Sequence, residues 1–186
     1  MTLAATLALH RPADAAEARD LATIRDFVAR HPHDPFDRAI AEGHLTGAAI
    51  VVDAAGRRVL LLHHRKLQRW LQPGGHGDPG ERTGEEVALR EAREETGLQG
   101  LALHEGAPRP LDVDVHAIPA RGREPAHLHL DLRYLVIAPE GAPTTLQEEE
   151  ASALRWFAWE ELEGLGLDHG LTRALHKARG FVSRSG

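Results

Sequence analysis

The sequence predicts an α/β layered domain, with a mixed set of strands and helices before, between and after them. Three observations carry this. Leu21, Ile24, Phe27 and Val28 recur at helical spacing after Asp14. Residues 83–97 carry both a start and a stop signal for a helix. Leu111–His116 and Ala126–Ala138 alternate apolar and polar residues with the period of a strand.

Asp14 is a suitable N-cap for a helix through Arg30, with Glu17 as reciprocal capping residue and His31-Pro32 as its stop. A shorter helix is expected from Asp34-Pro35 to Gly43, packing through Phe36 and Ile40. Strands follow at Gly47–Asp53 and Arg58–His64, joined by the turn Ala54-Ala55-Gly56-Arg57, and Leu60-Leu61-Leu62 has the character of a buried strand. The polar loop after His64 holds His64, Arg65, Lys66 and Arg69, which can attract a phosphorylated ligand or simply be solvated. Trp70 can stack on a base, but anchoring the loop is the simpler role.

Further on, Leu111–His116 and Ala126–Ala138 should pair as a hairpin around the loop Ile118–Pro125. Asp112, Asp114 and His116 would then share a face with His127, His129, Asp131 and Arg133. That stripe is expected to look toward the Gly75 loop as the floor of a ligand cleft. A metal site and a solvated face with cross-strand pairs are the other readings. Thr144–Ser152 is an acidic loop or turn, Leu154–Ala158 a strand, Trp159–Glu163 a short helix and His169–Ala178 a terminal helix.

A chain of 186 residues can bury a core without staples, and the absence of Cys excludes disulfides, thiolate metal sites and thiol nucleophiles. The formal charge of −6, with no basic patch, argues against nucleic acid as a partner. Thirteen His make the net charge rise steeply in mildly acidic solution. The apolar run Leu3–Leu9 lacks the basic flank of a signal peptide, and no stretch reaches membrane-spanning length, so a cytoplasmic protein without membrane contact is expected. Residues 1–44 read as a helical extension packed on a domain of residues 45–186. A cap over a cleft, a dimer arm or plain packing are its open roles.

The most informative stretch is Gly74–Leu98, GGHGDPGERTGEEVALREAREETGL. Thr83 caps a helix, Glu86 completes a capping box, and Gly97 suits the left-handed position after it. Ala88, Leu89, Ala92 and Thr96 form a core-facing stripe, while Glu91, Glu94 and Glu95 share the adjoining flank, with Val87 a turn earlier. Gathered carboxylates suit a hard cation such as Mg²⁺, although the same helix can be a solvated one with Glu86–Arg90 and Arg90–Glu94 pairs. The Gly-rich approach to the helix shifts the balance, because it lets backbone come close to a ligand.

This stretch resembles the signature of the Nudix (MutT-like) hydrolases, G-x5-E-x7-R-E-U-x-E-E-x-G-U with U a bulky aliphatic. Gly75, Glu81, Arg90-Glu91, Glu94-Glu95, Gly97 and Leu98 match its anchors. Two departures stand out: eight residues rather than seven separate Glu81 from Arg90, and Ala92 takes the place of a larger aliphatic. The extra residue is expected among Arg82, Thr83 and Gly84, ahead of the helix. With Leu154–Leu162 resembling the end of such a domain, the likeness covers about residues 45–165.

The resemblance implies an α/β/α sandwich with a mixed central sheet, and metal-dependent cleavage of a nucleoside diphosphate linked to another moiety. By position, Glu91, Glu94 and Glu95 would bind Mg²⁺ or Mn²⁺ with the Gly74 carbonyl, and Arg90 would orient them, together with Glu81. Glu91 and the run Glu148–Glu150, centred on Glu149, are the candidates for general base. Arg65, Lys66, Arg69, His127 and His129 are the candidates for binding a small-molecule nucleotide derivative. A non-catalytic Nudix-like sensor is the alternative, against which the intact carboxylates weigh. An isomerase on an isopentenyl-type diphosphate is disfavoured by the missing Cys. The substrate is not legible, and a homodimer is an open expectation.

Overall fold

The structure, a computed structural model, describes residues 2–122 and 125–183. Its centre is β1 (Gly43–Val52), whose residues are all buried. β1 runs parallel to β7 (His127–Ile137), from Gly43 opposite Leu128 to Val52 opposite Ile137. On its other edge it pairs antiparallel with β2 (Arg58–His64) near Val51 and with β4 (Gly74–His76) near Gly47. β3 (Arg69–Leu71) and β8 (Ala151–Ala158) extend β2, while β5 (Ala102–Leu103) and β6 (Asp112–Ile118) pair with β7. The result is a mixed, branched eight-stranded sheet.

Alternation along β1 decides what covers each face. Leu45, Ala49 and Val51 join Leu130, Leu132 and Val136 in a core shared with α1 (Leu3–Leu9), α2 (Ala15–Arg30) and α3 (Gly84–Thr96). Ile50 and Val52 join Leu61, Leu135 and Phe157 beneath a 3₁₀ helix (Trp159–Leu165) and α4 (His169–Val182). Helices on both faces of a mixed sheet make the expected sandwich. No described helix is long and apolar enough to cross a membrane.

Several expectations change. No helix forms between Asp34 and Gly43, where the chain makes consecutive turns: the amides of Asp37, Ile40 and Gly43 each bond a carbonyl three residues back. The Asp37 carboxylate accepts from the Ala39 amide, the Asx-turn that competes with helix. Freed from a helix, the chain enters β1 at Gly43 rather than Gly47, because pairing with β7 continues that far. The hairpin of β6 and β7 forms in the expected sense, with Asp114 opposite Asp131 and His116 opposite His129. Two residues of its loop, Arg123 and Glu124, lie outside the described residues. α1, unexpected as a helix, is capped by Thr2 and buries Leu7 completely.

Glu17 does not serve as a reciprocal cap for Asp14. Its carboxylate is fully buried, accepts from the Ala13 amide at 2.6 Å, and meets His10 at 2.8 Å and Lys177. Lys177 also reaches Asp112, which pairs with Arg173 at 2.8 Å and Arg133 at 3.3 Å. This ionic seam ties α2, β6, β7 and α4 together. Its bonds to His10 and Lys177 hold the Glu17 carboxyl well below the usual range despite burial. Breaking one partner of such a buried set costs far more than breaking an exposed pair. Glu17→Ala should therefore lower stability by about 3–5 kcal/mol, while Arg30→Ala, which removes exposed pairs to Asp26 and Glu42, should lower it far less. Equal shifts in urea midpoint for the two variants would contradict this account.

Candidate active site

α3 begins where the sequence places it. Thr83 accepts from the Glu86 amide, the Glu86 carboxylate accepts from the Thr83 amide, and Gly97 ends the helix at φ 71°. The extra residue is absorbed ahead of the helix, and Glu81 still meets Arg90 in a two-pronged contact of 2.9 and 3.1 Å. Arg90 also donates to the His76 carbonyl at 2.7 Å and to Glu94 at 2.9 Å, and lies 3.1 Å from Glu91. One guanidinium thus joins the loop before α3 to the carboxylates upon it.

α3 lies close to the sheet because glycines face it. A methyl group at Gly47 would sit 2.6 Å from the Gly84 carbonyl oxygen and 2.7 Å from Val87. One at Gly75 would sit 2.7 Å from the Glu91 carboxyl carbon. Val87 is therefore part of the packed face rather than the acidic flank, and Leu89 is only partly buried.

The three carboxylates are not equivalent. Glu95 is 7 % exposed and accepts from the Gly74 amide at 2.9 Å. Burial, reinforced by the charges of Glu91 and Glu150, pushes its carboxyl up to about 8. Glu91 is half-buried against Gly75 and is likewise raised, chiefly by burial. Glu94 is exposed and held by Arg90. From the acidic loop, the charge of Glu150 bears on both Glu91 and Glu95. Arg65 anchors this loop: its Nε donates to the carbonyls of Glu148 and Ala151 at 2.6 and 3.0 Å. Lys66 and Arg69 are exposed nearby in sequence. Trp70 packs edge-on against Phe157, with ring centroids 4.8 Å apart, as a loop anchor does.

The polar stripe of β6 and β7 does not look toward these carboxylates. Gly84 of α3 packs on Leu132 and Tyr134, so Asp131 and Arg133 and, by alternation, His127 and His129 belong to the other face. Nor is that face simply solvated. Asp112, Asp131, Arg133 and His127 are all buried. Asp131 accepts from Arg133 at 2.9 Å and from Thr46 at 3.1 Å. His116 pairs with Asp114 at 3.4 Å. The imidazoles of His127 and His129 meet instead His44 of β1 and His76 of β4, two residues that no periodic pattern singles out. Burial and the neighbouring imidazoles lower His44 to about 4 and His129 to about 2.

A separate cavity of about 680 Å³ opens between α1, Pro108–Pro110 and the N-terminus of α3. It lies beside Arg82–Glu85, at the other end of the helix from Glu95.

A glycine-lined approach of strand to helix, an arginine clamp and buried carboxylates meet at one loop–helix junction. The model of the NUDIX domain matches residues 43–177, and the chain belongs to the Nudix hydrolase family. Over 51 residues it is 43% identical to a Bacillus subtilis (strain 168) protein provisionally named an 8-oxo-dGTP diphosphatase, a match spanning 27% of this chain and 34% of that one. The MutT Nudix hydrolase from Burkholderia pseudomallei superposes with a TM-score of 0.56 at 27% identity, covering 73% of this chain and 98% of that one. An Ap4A hydrolase from C. elegans superposes at 0.60 with 21% identity, over 75% and 98%, and shares the fold. α1 and α2 precede the matched segment.

The raised carboxyl of Glu95 has a thermodynamic consequence in metal-free protein. Folding favours its protonated form, so the contribution is intact below the ordinary value of 4.5 and is lost as pH rises toward about 8. The melting temperature of metal-free protein should fall across this window relative to that of Glu95→Gln, which lacks the titrating group. Parallel melting curves for the two proteins from pH 5 to 8 would reject this assignment. Gly75→Ala should leave a folded protein with its activity reduced by an order of magnitude or more, because the new methyl displaces Glu91.

Proposed function

We propose that the chain is a metal-dependent hydrolase that cleaves the diphosphate linkage of a nucleoside diphosphate joined to another moiety. The observation that carries this is the burial of Glu91 and Glu95 against Gly74 and Gly75, with the charge of Glu150 bearing on both. Like-charged oxygen donors packed so closely fit a hard divalent cation, Mg²⁺ or Mn²⁺, rather than a soft one. When bound there, such an ion neutralises the diphosphate and lowers the pKa of an attacking water.

Glu91, Glu95 and the Gly74 carbonyl would hold the ion, with Glu94 completing the set when it turns from Arg90. Arg90 fixes Glu91 relative to the His76 carbonyl and Glu81, so the carboxylates are positioned before substrate arrives. Water attacks phosphorus, its proton passes to a nearby carboxylate, and the P–O bond of the anhydride breaks to release two phosphorylated products. Glu91, whose carboxyl burial raises above its ordinary value, and Glu150 are the bases within this cluster. Within the run Glu148–Glu150, Glu150 is the member whose charge bears on Glu91 and Glu95. Lys66 and Arg69 supply positive charge on the adjacent loop for the outer phosphates, while Arg65 acts by holding the Glu150 loop. The names of the relatives, an 8-oxo-dGTP diphosphatase and an Ap4A hydrolase, support a small nucleotide with a phosphoanhydride as the substrate class.

The test is a panel of ADP-ribose, dinucleoside polyphosphates and oxidised deoxynucleoside triphosphates, assayed with Mg²⁺, with Mn²⁺ and in EDTA. At least one should be hydrolysed only with metal. Glu95→Gln should cut its turnover roughly 10²–10⁴-fold with the circular dichroism spectrum unchanged. Undiminished turnover in EDTA, or no turnover of any compound with metal, would count against the proposal.

A further inference from the structure

Across the sheet from the α3 carboxylates, four imidazoles converge from three strands. His44 on β1 lies opposite His129 on β7, His127 follows two residues before His129 on the same face, and His76 enters from β4. The ring of His44 lies 4.9 Å from that of His129, 5.1 Å from that of His127 and 5.0 Å from that of His76, centroid to centroid. The Nε2 atoms of His76 and His129 are 3.1 Å apart.

Ordinary packing does not account for His44. Its side chain is 2 % exposed, yet neither Nδ1 nor Nε2 has a hydrogen-bond partner. A buried polar group left so is costly, and native proteins rarely retain one without a reason. The carboxylates on the same face do not relieve it. Asp131 is engaged by Arg133 and Thr46, Asp112 by Arg173, and Asp114 by Arg133 and His116. Asp37 and Arg38, on the turns before β1, bear on His44 with opposite charge.

We infer that His44, His127 and His129 form a binding site for a divalent transition metal of the Zn²⁺ class, separate from the carboxylate site on α3. One nitrogen from each residue already lies within 4.8 Å of the other two. Zn–N bonds of 2.0–2.1 Å place ligand nitrogens about 3.3 Å apart on a tetrahedral edge, so small ring rotations close the site. Three imidazoles leave a fourth position to water or to His76 of β4, whose ring lies 5.0 Å from that of His44 and 4.8 Å from that of His129. The donor set is all nitrogen, which suits Zn²⁺, Co²⁺ or Ni²⁺ and disfavours Mg²⁺. His76 and His129 are partly exposed, which gives the ion a way in. Bound there, the ion would pin the start of β1 and β7 to Gly75-His76, and so stiffen the loop that faces Glu91.

The proposal is tested on full-length protein stripped with a chelator, given Zn²⁺ alone in the presence of excess Mg²⁺, and desalted before elemental analysis. Wild type and the double variant Glu91→Gln/Glu95→Gln should each retain one Zn²⁺ per chain. His44→Ala and His129→Ala should bind it roughly 100-fold or more weakly, as loss of a direct ligand requires. Co²⁺ added to wild type should give the intense visible bands of a tetrahedral nitrogen site, a readout that stands even where a variant fails to fold. Zn²⁺ retained by folded His44→Ala and His129→Ala, or lost only from the Glu91→Gln/Glu95→Gln variant, would overturn the proposal. A pale octahedral Co²⁺ spectrum would do the same.

Discussion

The close approach of α3 to the sheet is the constraint on which the site depends. It exists because Gly47, Gly75 and Gly84 offer no side chain where β1, β4 and the first turn of α3 meet. With a methyl group at Gly47 or Gly75, backbone or carboxylate would have to move, and at Gly84 the Tyr134 and Leu132 side chains would. The contact has two effects at once. It buries Val87, Ala88 and Ala92 against β1, which fixes the helix. It also drives Glu91 and Glu95 into a space walled by the Gly74–Gly75 backbone, where charge is costly. Packing that stabilises the fold therefore creates the electrostatic deficit that a cation can relieve.

Two buried charge systems in this chain are resolved in opposite ways. The seam of Glu17, Asp112, Arg133, Arg173 and Lys177 contains cations and anions in contact, and it joins the N-terminal helices to β6 and α4. The site on α3 has Arg90 at its rim, bonded chiefly to Glu81 and Glu94, while Glu95 inside accepts from the Gly74 amide and feels the charges of Glu91 and Glu150. A balanced set is structural. An unbalanced set is poised to bind.

The sequence made α3 legible in detail because cap, capping box, stripe and terminal glycine are local features with local causes. The strands were legible wherever polar and apolar residues alternate, and the pairing of β6 with β7 followed from the short span between them. The turns at 34–43 were misread as a helix because Asp37 satisfies backbone groups in a way that a periodic pattern does not reveal. The orientation of the histidine stripe was missed for a different reason. Alternation says which residues share a face, but which face α3 covers is set by Gly47 and Gly84, a contact between distant segments. The partnership of His44 and His76 with His127 and His129 depends on β1 lying between β4 and β7, which is a property of topology alone. Within the run Glu148–Glu150 the sequence does not separate the three carboxylates, because the Arg65 anchor on the carbonyls of Glu148 and Ala151 is a contact between distant segments.

Glu91 and Glu95, pressed together by the glycine contact, are proposed to form a site for a hard cation. The most direct measurement is calorimetric titration of Mg²⁺, which imidazoles bind poorly, into wild type and into Glu91→Gln/Glu95→Gln at pH 8. Wild type should give a saturable isotherm with release of protons from the raised carboxyls, read as a heat that varies with the ionisation enthalpy of the buffer. The double variant should give neither the saturation nor the buffer dependence. Equal Mg²⁺ isotherms for the two folded proteins would contradict the account.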